Sequence, residues 1–454
     1  MRIYEVLIPI ILMITIILWK KLPKIGGNIH VALVVAGVSA LLLGGVYSPI
    51  TWLSSWLDGV NRLSWVMLLS IFGSIYAETQ ISMGTMETVL NLCRAKFGRS
   101  PRGLLVAIMV SLALAGSLLG DAIAVSTVVG ILIIKPLSDM GIKAEEISAT
   151  LVMGALLGSV CPPISSALFQ AAGIVGVEPD SVARVSYLPV IIAIVLSCLY
   201  ASFAFVHIKT LPDELIPDES ASAIFRKGWV SLIPMTVLIL IVILRTGPWN
   251  IDIIAKLFAP LINAVKPIPI LQGLSNITLL AVFTVTVLSF LSPKVRTRGV
   301  GPIMKKGIKN VLPCTGIQIA AGFMLGAFYT SGLIDVVAEF AQTLNLNMLK
   351  LGGSGAMMLV GMLTGSNSTA QSTILSFLGP ALVSSGVEPV NVAAAGGMIA
   401  TAGQAMPPAD LATFVVAGLV GGILGVEVDC IKSMIKSAPG FIFLAIGGLI
   451  LLYV

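Results

Sequence analysis

The stretch Leu363-Thr-Gly-Ser-Asn-Ser-Thr-Ala-Gln-Ser372 crowds hydroxyl and amide groups into a short run flanked by apolar sequence. Hydroxyls and backbone carbonyls can replace the hydration shell of a sodium ion, whereas Asn amides, hydroxyls and helix-end N–H groups suit a carboxylate. Small polar residues that merely hold helices together are the plainer reading. A second cluster, Gly116-Ser-Leu-Leu-Gly-Asp-Ala-Ile-Ala-Val-Ser-Thr127, contains Asp121, the one acid between residues 103 and 134. An ionisable group within such a run is costly unless paired, solvated or bound to a cation, so Asp121 is a candidate for coupling. Capping of the following helix is its structural alternative.

Two proline pairs carry the next signal, in Gly158-Ser-Val-Cys-Pro-Pro-Ile-Ser-Ser166 and Gly403-Gln-Ala-Met-Pro-Pro-Ala-Asp410. Proline removes a backbone donor and clashes with the preceding turn, which frees carbonyls for a cation and exposes half-helix N-termini to an anion. Asp410 is the second acid in apolar surroundings and a second coupling candidate, leaving proton as well as sodium coupling open. Neither cluster nor break contains Lys or Arg, so an anion there would rely on backbone dipoles and neutral donors.

These groups recur at a fixed offset. Gly120, Gly141, Gly158, Pro162, Pro163, Ala167, Phe169, Ala172, Gly173 and Gly176 reappear 245 residues later as Gly365, Gly386, Gly403, Pro407, Pro408, Ala412, Phe414, Ala417, Gly418 and Gly421. Broken backbone at membrane depth survives only where protein or a water-filled cavity covers it, so paired breaks in two halves point to a central transport site. Asp121 matches Ser366 and Asp410 matches Ser165, so the acids occupy different elements in the two halves.

The elements that must position these residues are apolar helices. The 454 residues are 57% apolar and 11% charged, with a mean hydropathy of +1.03, against about 25% charged residues in a soluble chain. Spans are expected near 4–19, 29–46, 62–79, 186–208, 228–245, 270–292, 308–330 and 436–454. Around the breaks, each half has a re-entrant hairpin, with tips at Gly116 to Asp121 and Thr364 to Thr369. The expected organisation is an N-terminal span at 1–28, a first repeat at 29–208 (hairpin 101–141, broken helix 145–176), a linking span and interfacial helix at 209–269, and a second repeat at 270–454 (hairpin 350–386, broken helix 390–422). Segments 83–97 and 333–348 look amphipathic and would brace the hairpins from opposite surfaces.

Charge fixes an orientation. With both termini outside, twenty of the 27 Lys and Arg residues fall in cytoplasmic loops and seven outside, as the positive-inside rule requires. That explains the net charge of +6 without nucleic acid. The repeats then have inverted topology, in an inner (cytoplasmic) membrane. Five cysteines without CxxC spacing and two histidines, His30 and His207, support neither a disulfide framework nor a metal site. An intramembrane aspartyl protease is disfavoured because Leu118 replaces a required glycine, and no phosphate-binding loop is present. No enzyme activity and no cofactor are expected.

At these residues the chain resembles the large membrane subunit of TRAP transporters, within the ion transporter superfamily that includes the divalent-anion sodium symporters. Gly158 to Pro163 and Gly403 to Pro408 match its Gly-x-x-x-Pro-Pro breaks, and the specific motifs span about 150 residues. The resemblance implies an all-α elevator fold, in which hairpins and broken helices slide against a scaffold. It implies sodium as the coupling ion at Gly120, Asp121, Ser159 and Pro162, and at Gly365, Ser366, Gly403 and Met406. Substrate, a small organic anion, would contact Asn367, Ser368 and Thr369, with Ser117, Asp121, Pro163 and Pro408 nearby. Implied partners are a small four-span subunit and a substrate-binding protein, besides membrane lipid; a homodimer and a stand-alone carrier remain open. A cation/proton antiporter and a proton-coupled gluconate- or lactate-type permease are the competing functions.

Overall fold

The computed structural model describes residues 3–19, 25–97, 100–120, 122–211, 219–246, 251–336, 345–408 and 410–454. Among these the fold is helical throughout, with no strand. The first half contains α1 (Ile3–Leu18), α2 (Ile29–Leu43), α3 (Pro49–Met83), α4 (Thr85–Phe97), α5 (Pro101–Leu119), α6 (Ala122–Asp139), α7 (Ala144–Val160), α8 (Ser166–Val175) and α9 (Pro179–Ala204). α10 (Ala221–Thr246) links to the second half. There follow α11 (Ile277–Phe290), α12 (Val300–Thr330), α13 (Leu346–Thr364), α14 (Ser376–Ser384), α15 (Pro389–Gln404), α16 (Leu411–Leu424) and α17 (Cys430–Leu451). Short turns at Ile253–Leu257 and Ala259–Val265 occupy the segment expected to lie along the surface. Five of the described helices are long and apolar enough to cross a membrane: α5, α9, α10 over Ala221–Ile241, α13 and α17.

Two expectations need correction. The span placed at 62–79 belongs to a 35-residue helix that starts at Pro49, because Ser48 caps it and Pro49 takes the first helical position. This helix bends by 44° between its halves Pro49–Trp65 and Met67–Met83. The hairpin tips are also tighter than expected. α5 stays helical through Gly116 and Ser117 to Leu119, and α13 runs through Thr364. Only Gly120 and Gly365 turn the chain, at φ of +64° and +63°, where a side chain would be strained. Asp121 lies outside the described residues, as does the middle half of the second bracing segment, 337–344.

The halves match locally beyond their glycines. α5 and α7 run parallel: Leu112 meets Gly154, and a Cβ on Gly116 would lie 2.8 Å from the Cα of Gly158. The loop 140–143 joins α6 directly to α7, so both legs of the first hairpin open on the side where α7 begins. In the second half a Cβ on Gly403 would lie 2.7 Å from the Cα of Met358, and Gly361 faces Gly403 and Gln404. Close backbone approach between small residues is how helices associate in lipid, where no hydrophobic drive brings them together. Both proline pairs adopt a cis bond.

Packing separates the helices into two groups. α3 carries α11 and α12, α2 packs on α12 and α1, and α10 packs on α4 and α11; these form a framework. α5 to α9 pack with α13 to α17 in a second group, with α4 lying against α5 as an arm between them. Within the second group the halves are exchanged: α8 packs on α15 of the other half, and α16 on α6 and α7. Several ion pairs and cation–π contacts join residues expected on the same side. Lys436–Glu146, Lys306–Glu78 and Arg102 over Phe203 join residues expected on one side, whereas Arg62 over Tyr329, Lys350 over Tyr453 and Arg245–Asp180 join residues expected on the other.

The glycine crossings are testable. Gly116→Ala and Gly403→Ala each drive a methyl into backbone, an overpacking expected to cost about 1–3 kcal/mol. Gly418→Ala, with nothing within 4 Å of its added carbon, is expected to be neutral or slightly stabilising. Thermal unfolding in lipid nanodiscs checks the contrast; equal melting of all three variants would contradict the packing.

Candidate functional site

At the first junction the hairpin tip is stitched to the break. The Ser117 hydroxyl donates to the carbonyl of Pro162 at 2.7 Å, and the Ile164 N–H donates to the Ser117 carbonyl at 3.1 Å. The Ser166 hydroxyl reaches the Gly120 carbonyl at 3.4 Å. Ser165 caps α8 by accepting from the Leu168 N–H at 3.2 Å. Ser159, an expected cation ligand, donates back to Leu156 O within its own helix. An apolar cavity of about 550 Å³ adjoins this junction, reaching Ser117, Cys161, Pro162 and Pro163 and walled by α9 and α10.

The second junction is built from amides. Gln404, the last residue of α15, accepts the Asn367 N–H on its Oε1 at 3.0 Å, and Asn367 Nδ2 approaches the Thr401 hydroxyl at 3.4 Å. Ser366 caps the return leg, accepting from the Thr369 N–H at 3.2 Å and the Thr369 hydroxyl at 3.0 Å. Thr369 is fully buried and turned onto Ser366, so in this conformation its hydroxyl is not presented as the substrate expectation requires. Asn367, Ser368 and Ser366 are partly exposed, Pro408 is exposed, and Gly365, Gly403 and Met406 are buried. The return leg then passes through a π-turn at Gln371–Leu375, a geometry frequent at functional sites.

Asp410 is buried and committed. Its oxygens accept from the N–H groups of Ala412 and Thr413, at 3.1 and 3.0 Å, and from the Thr413 hydroxyl. It performs for α16 what Ser165 performs for α8, as their 245-residue separation requires.

A residue outside the sequence-based site joins the halves. Gln170, nearly buried in α8, donates from Nε2 to the Ser368 carbonyl at 3.0 Å and to the Ser372 hydroxyl at 3.1 Å. An amide within an apolar ten-residue helix was the available signal, but its counterpart is Val415, so the repeat concealed it. Through Gln170 the second tip rests on the half-helix that follows the first break. The brought-together donors are neutral oxygens and amide nitrogens; among the described residues no group of three His, Cys, Asp or Glu is placed to hold a metal. Such a set suits a hard monovalent cation or a carboxylate better than a transition metal.

Paired hairpins, paired broken helices and polar groups converging at the breaks define a polytopic membrane transporter. A family model described as the DctM component of tripartite ATP-independent periplasmic transporters matches residues 17–454, and the chain belongs to that family, the large component of TRAP transporters. No curated protein sequence matches it. The fold is similar to the YdaH transporter of Alcanivorax borkumensis, at 16% identity and a TM-score of 0.57, covering 99% of this chain and 96% of that one. It is also similar to MtrF of Neisseria gonorrhoeae, described within a class of antimetabolite efflux pumps, at 14% identity and a TM-score of 0.60, covering 98% and 95%.

Three substitutions at two residues separate roles here. Asp410→Asn keeps a good cap, so transport is expected to retain its ion dependence, whereas Asp410→Ala is expected to lose about 0.5–2 kcal/mol of stability. Altered ion dependence in the Asn variant would make Asp410 a coupling acid instead. Gln170→Leu strands the Ser372 hydroxyl and frees the second tip, and is expected to raise the half-saturating substrate concentration roughly tenfold in folded protein.

Proposed function

We propose that this chain is a secondary transporter that takes up a small organic anion with sodium, by an elevator movement of the hairpin group against the framework. The observation that carries the reading is the convergence of two tip-to-break junctions, one lined by carbonyl and hydroxyl oxygens and one rich in amides. Carbonyl O of Ser117, Gly120 and Pro162 provides uncharged ligands for sodium at the first junction, together with Asp121 from the sequence pattern. Backbone at Gly365, Ser366, Gly403 and Met406 provides the second sodium environment. Asn367 and Ser368 offer amide and hydroxyl donors to a carboxylate, and Gln170 sets their height.

The division of helices into two packing groups supports sliding, and the exchange of α8 and α16 supports an inverted repeat. The positive-inside distribution of Lys and Arg supports both termini lying outside an inner membrane. A tripartite system would add a four-span subunit and a secreted binding protein, with the chain supplying the transport path. Asp410, a candidate coupling acid, is engaged as a helix cap, which supports sodium over proton coupling.

Uptake into proteoliposomes, with the chain alone and with its candidate partner subunits, tests this. Labelled C4-dicarboxylates, sialic acid, gluconate and lactate are offered under separately imposed sodium and proton gradients. Accumulation of one acid driven by the sodium gradient alone is expected. Equal accumulation under a proton gradient without sodium would replace the reading with a proton-coupled permease, and sodium-for-proton exchange without acid uptake would replace it with an antiporter.

A further inference from the structure

The two packing groups meet at a polar triangle in which Arg245 and Thr278 are buried and Asp180 is half-buried. Asp180 lies in the first turn of α9, in the hairpin group, while Arg245 ends α10 and Thr278 begins α11, both in the framework. Arg245 is ion-paired with Asp180 and donates from a terminal nitrogen to the Thr278 hydroxyl at 2.9 Å. That hydroxyl donates to Asp180 Oδ1 at 3.1 Å, closing the triangle. The Arg245 side chain is only 8% exposed, and its Nε has no partner. Lys306–Glu78 stays within the framework and Lys436–Glu146 within the hairpin group, so sliding leaves both intact. Asp180–Arg245 crosses between the groups and cannot survive such a movement.

We infer that Asp180, Arg245 and Thr278 form a latch holding the hairpin group against the framework in this conformation, and that its opening is a step of the transport cycle. The inference rests on the sliding movement proposed above. An ion pair with one partner buried is a sharp positional device: its attraction falls quickly as the partners separate, and the buried Arg245 charge left behind without solvent would be strongly penalised. Here a polar cavity of about 890 Å³ borders all three residues and reaches Trp65 of α3 and Gly173 of α8, so both groups form its walls. Water in that cavity can solvate Asp180 and Arg245 as they part, which makes the contact breakable as well as specific. The result is two discrete arrangements rather than a continuous slide.

Spin-label distance measurements on the full chain in nanodiscs test this. Labels are placed at Tyr47, 71% exposed between α2 and α3, and at Glu388, exposed ahead of α15, in a background with the five native cysteines replaced. The unaltered latch is expected to give two separations whose ratio responds to sodium and substrate. Asp180→Asn and Arg245→Gln are each expected to deplete the latched separation by roughly tenfold, the scale for a hydrogen bond to a charged group. Thr278→Val, which removes no charge, is expected to shift it less in the same direction and guards against misfolding of the charge variants. Exchanging the charges, Asp180→Arg with Arg245→Asp, is expected to recover part of the latched population. A single separation under every condition would overturn the sliding movement and the latch with it. Two separations with unchanged ratios in all variants would overturn the latch and leave the movement standing.

Discussion

A backbone broken inside hydrocarbon must find hydrogen-bond partners in the protein itself, and this requirement organises the hairpin group. Each proline pair interrupts a helix that would otherwise satisfy its own backbone. The interruptions are tolerated because a hairpin tip is brought to each of them. Ser117 answers Pro162, Gln404 answers Asn367, and Ser165 and Asp410 cap the half-helices that resume beyond the breaks. Tip and break are thus one unit, and neither is a plausible structure without the other. The glycine crossings follow, since only Gly116 against Gly158 and Gly361 against Gly403 allow the tips to come close enough.

The same solution is reached with different chemistry in the two halves. Hydroxyl and carbonyl oxygens dominate the first junction, whereas the second relies on the amides of Asn367 and Gln404, with Gln170 arriving from the opposite half. An amide presents a donor and an acceptor together, so it can face an anion on one side while satisfying backbone on the other. Oxygens alone suit a cation. The donor inventory therefore supports the proposed placing of substrate donors at the second junction, although both proline pairs break their helices in the same way.

Much of this was legible in sequence because it is carried by glycine and proline, whose conformational demands are local. The tips at Gly120 and Gly365, the breaks at Pro162 and Pro407 and the turns at Gly141 and Gly386 all mark positions where the chain changes direction. Less legible were features set by partners distant in sequence. Gln170 has no equivalent in the second half, and nothing local indicates that Ser368 and Ser372 receive it. The extension of α3 back to Pro49 was hidden because Ser54, Ser55, Asp58, Asn61 and Arg62 break its apolar run, although the helix stays continuous through packing on α12. α16 also outlasts α8 by one turn: Gly176 ends α8, but the matching Gly421 is helical and Gly425 takes over as the cap. Val177 and Glu178 continue into α9 at once, while the second half has Gly422, Ile423 and Leu424 available to extend the helix.

The exchange of half-helices constrains how the molecule can work. Because α8 rests on α15 and on the second tip, while α16 rests on α6 and α7, neither half can move without carrying parts of the other. A change at one junction is therefore transmitted mechanically rather than through a chain of flexible contacts. Independent gating of the two tips would have to break the Gln170 bridge, whereas movement of the whole group leaves it intact. The framework, held by close backbone contact between α3 and α12, has no comparable polar break among its described residues. With the hairpin group locked internally by the Gln170 bridge, the sliding proposed above has its boundary between the two groups. The coupled transport proposed above needs that arrangement, because ion and substrate would then cross together or not at all.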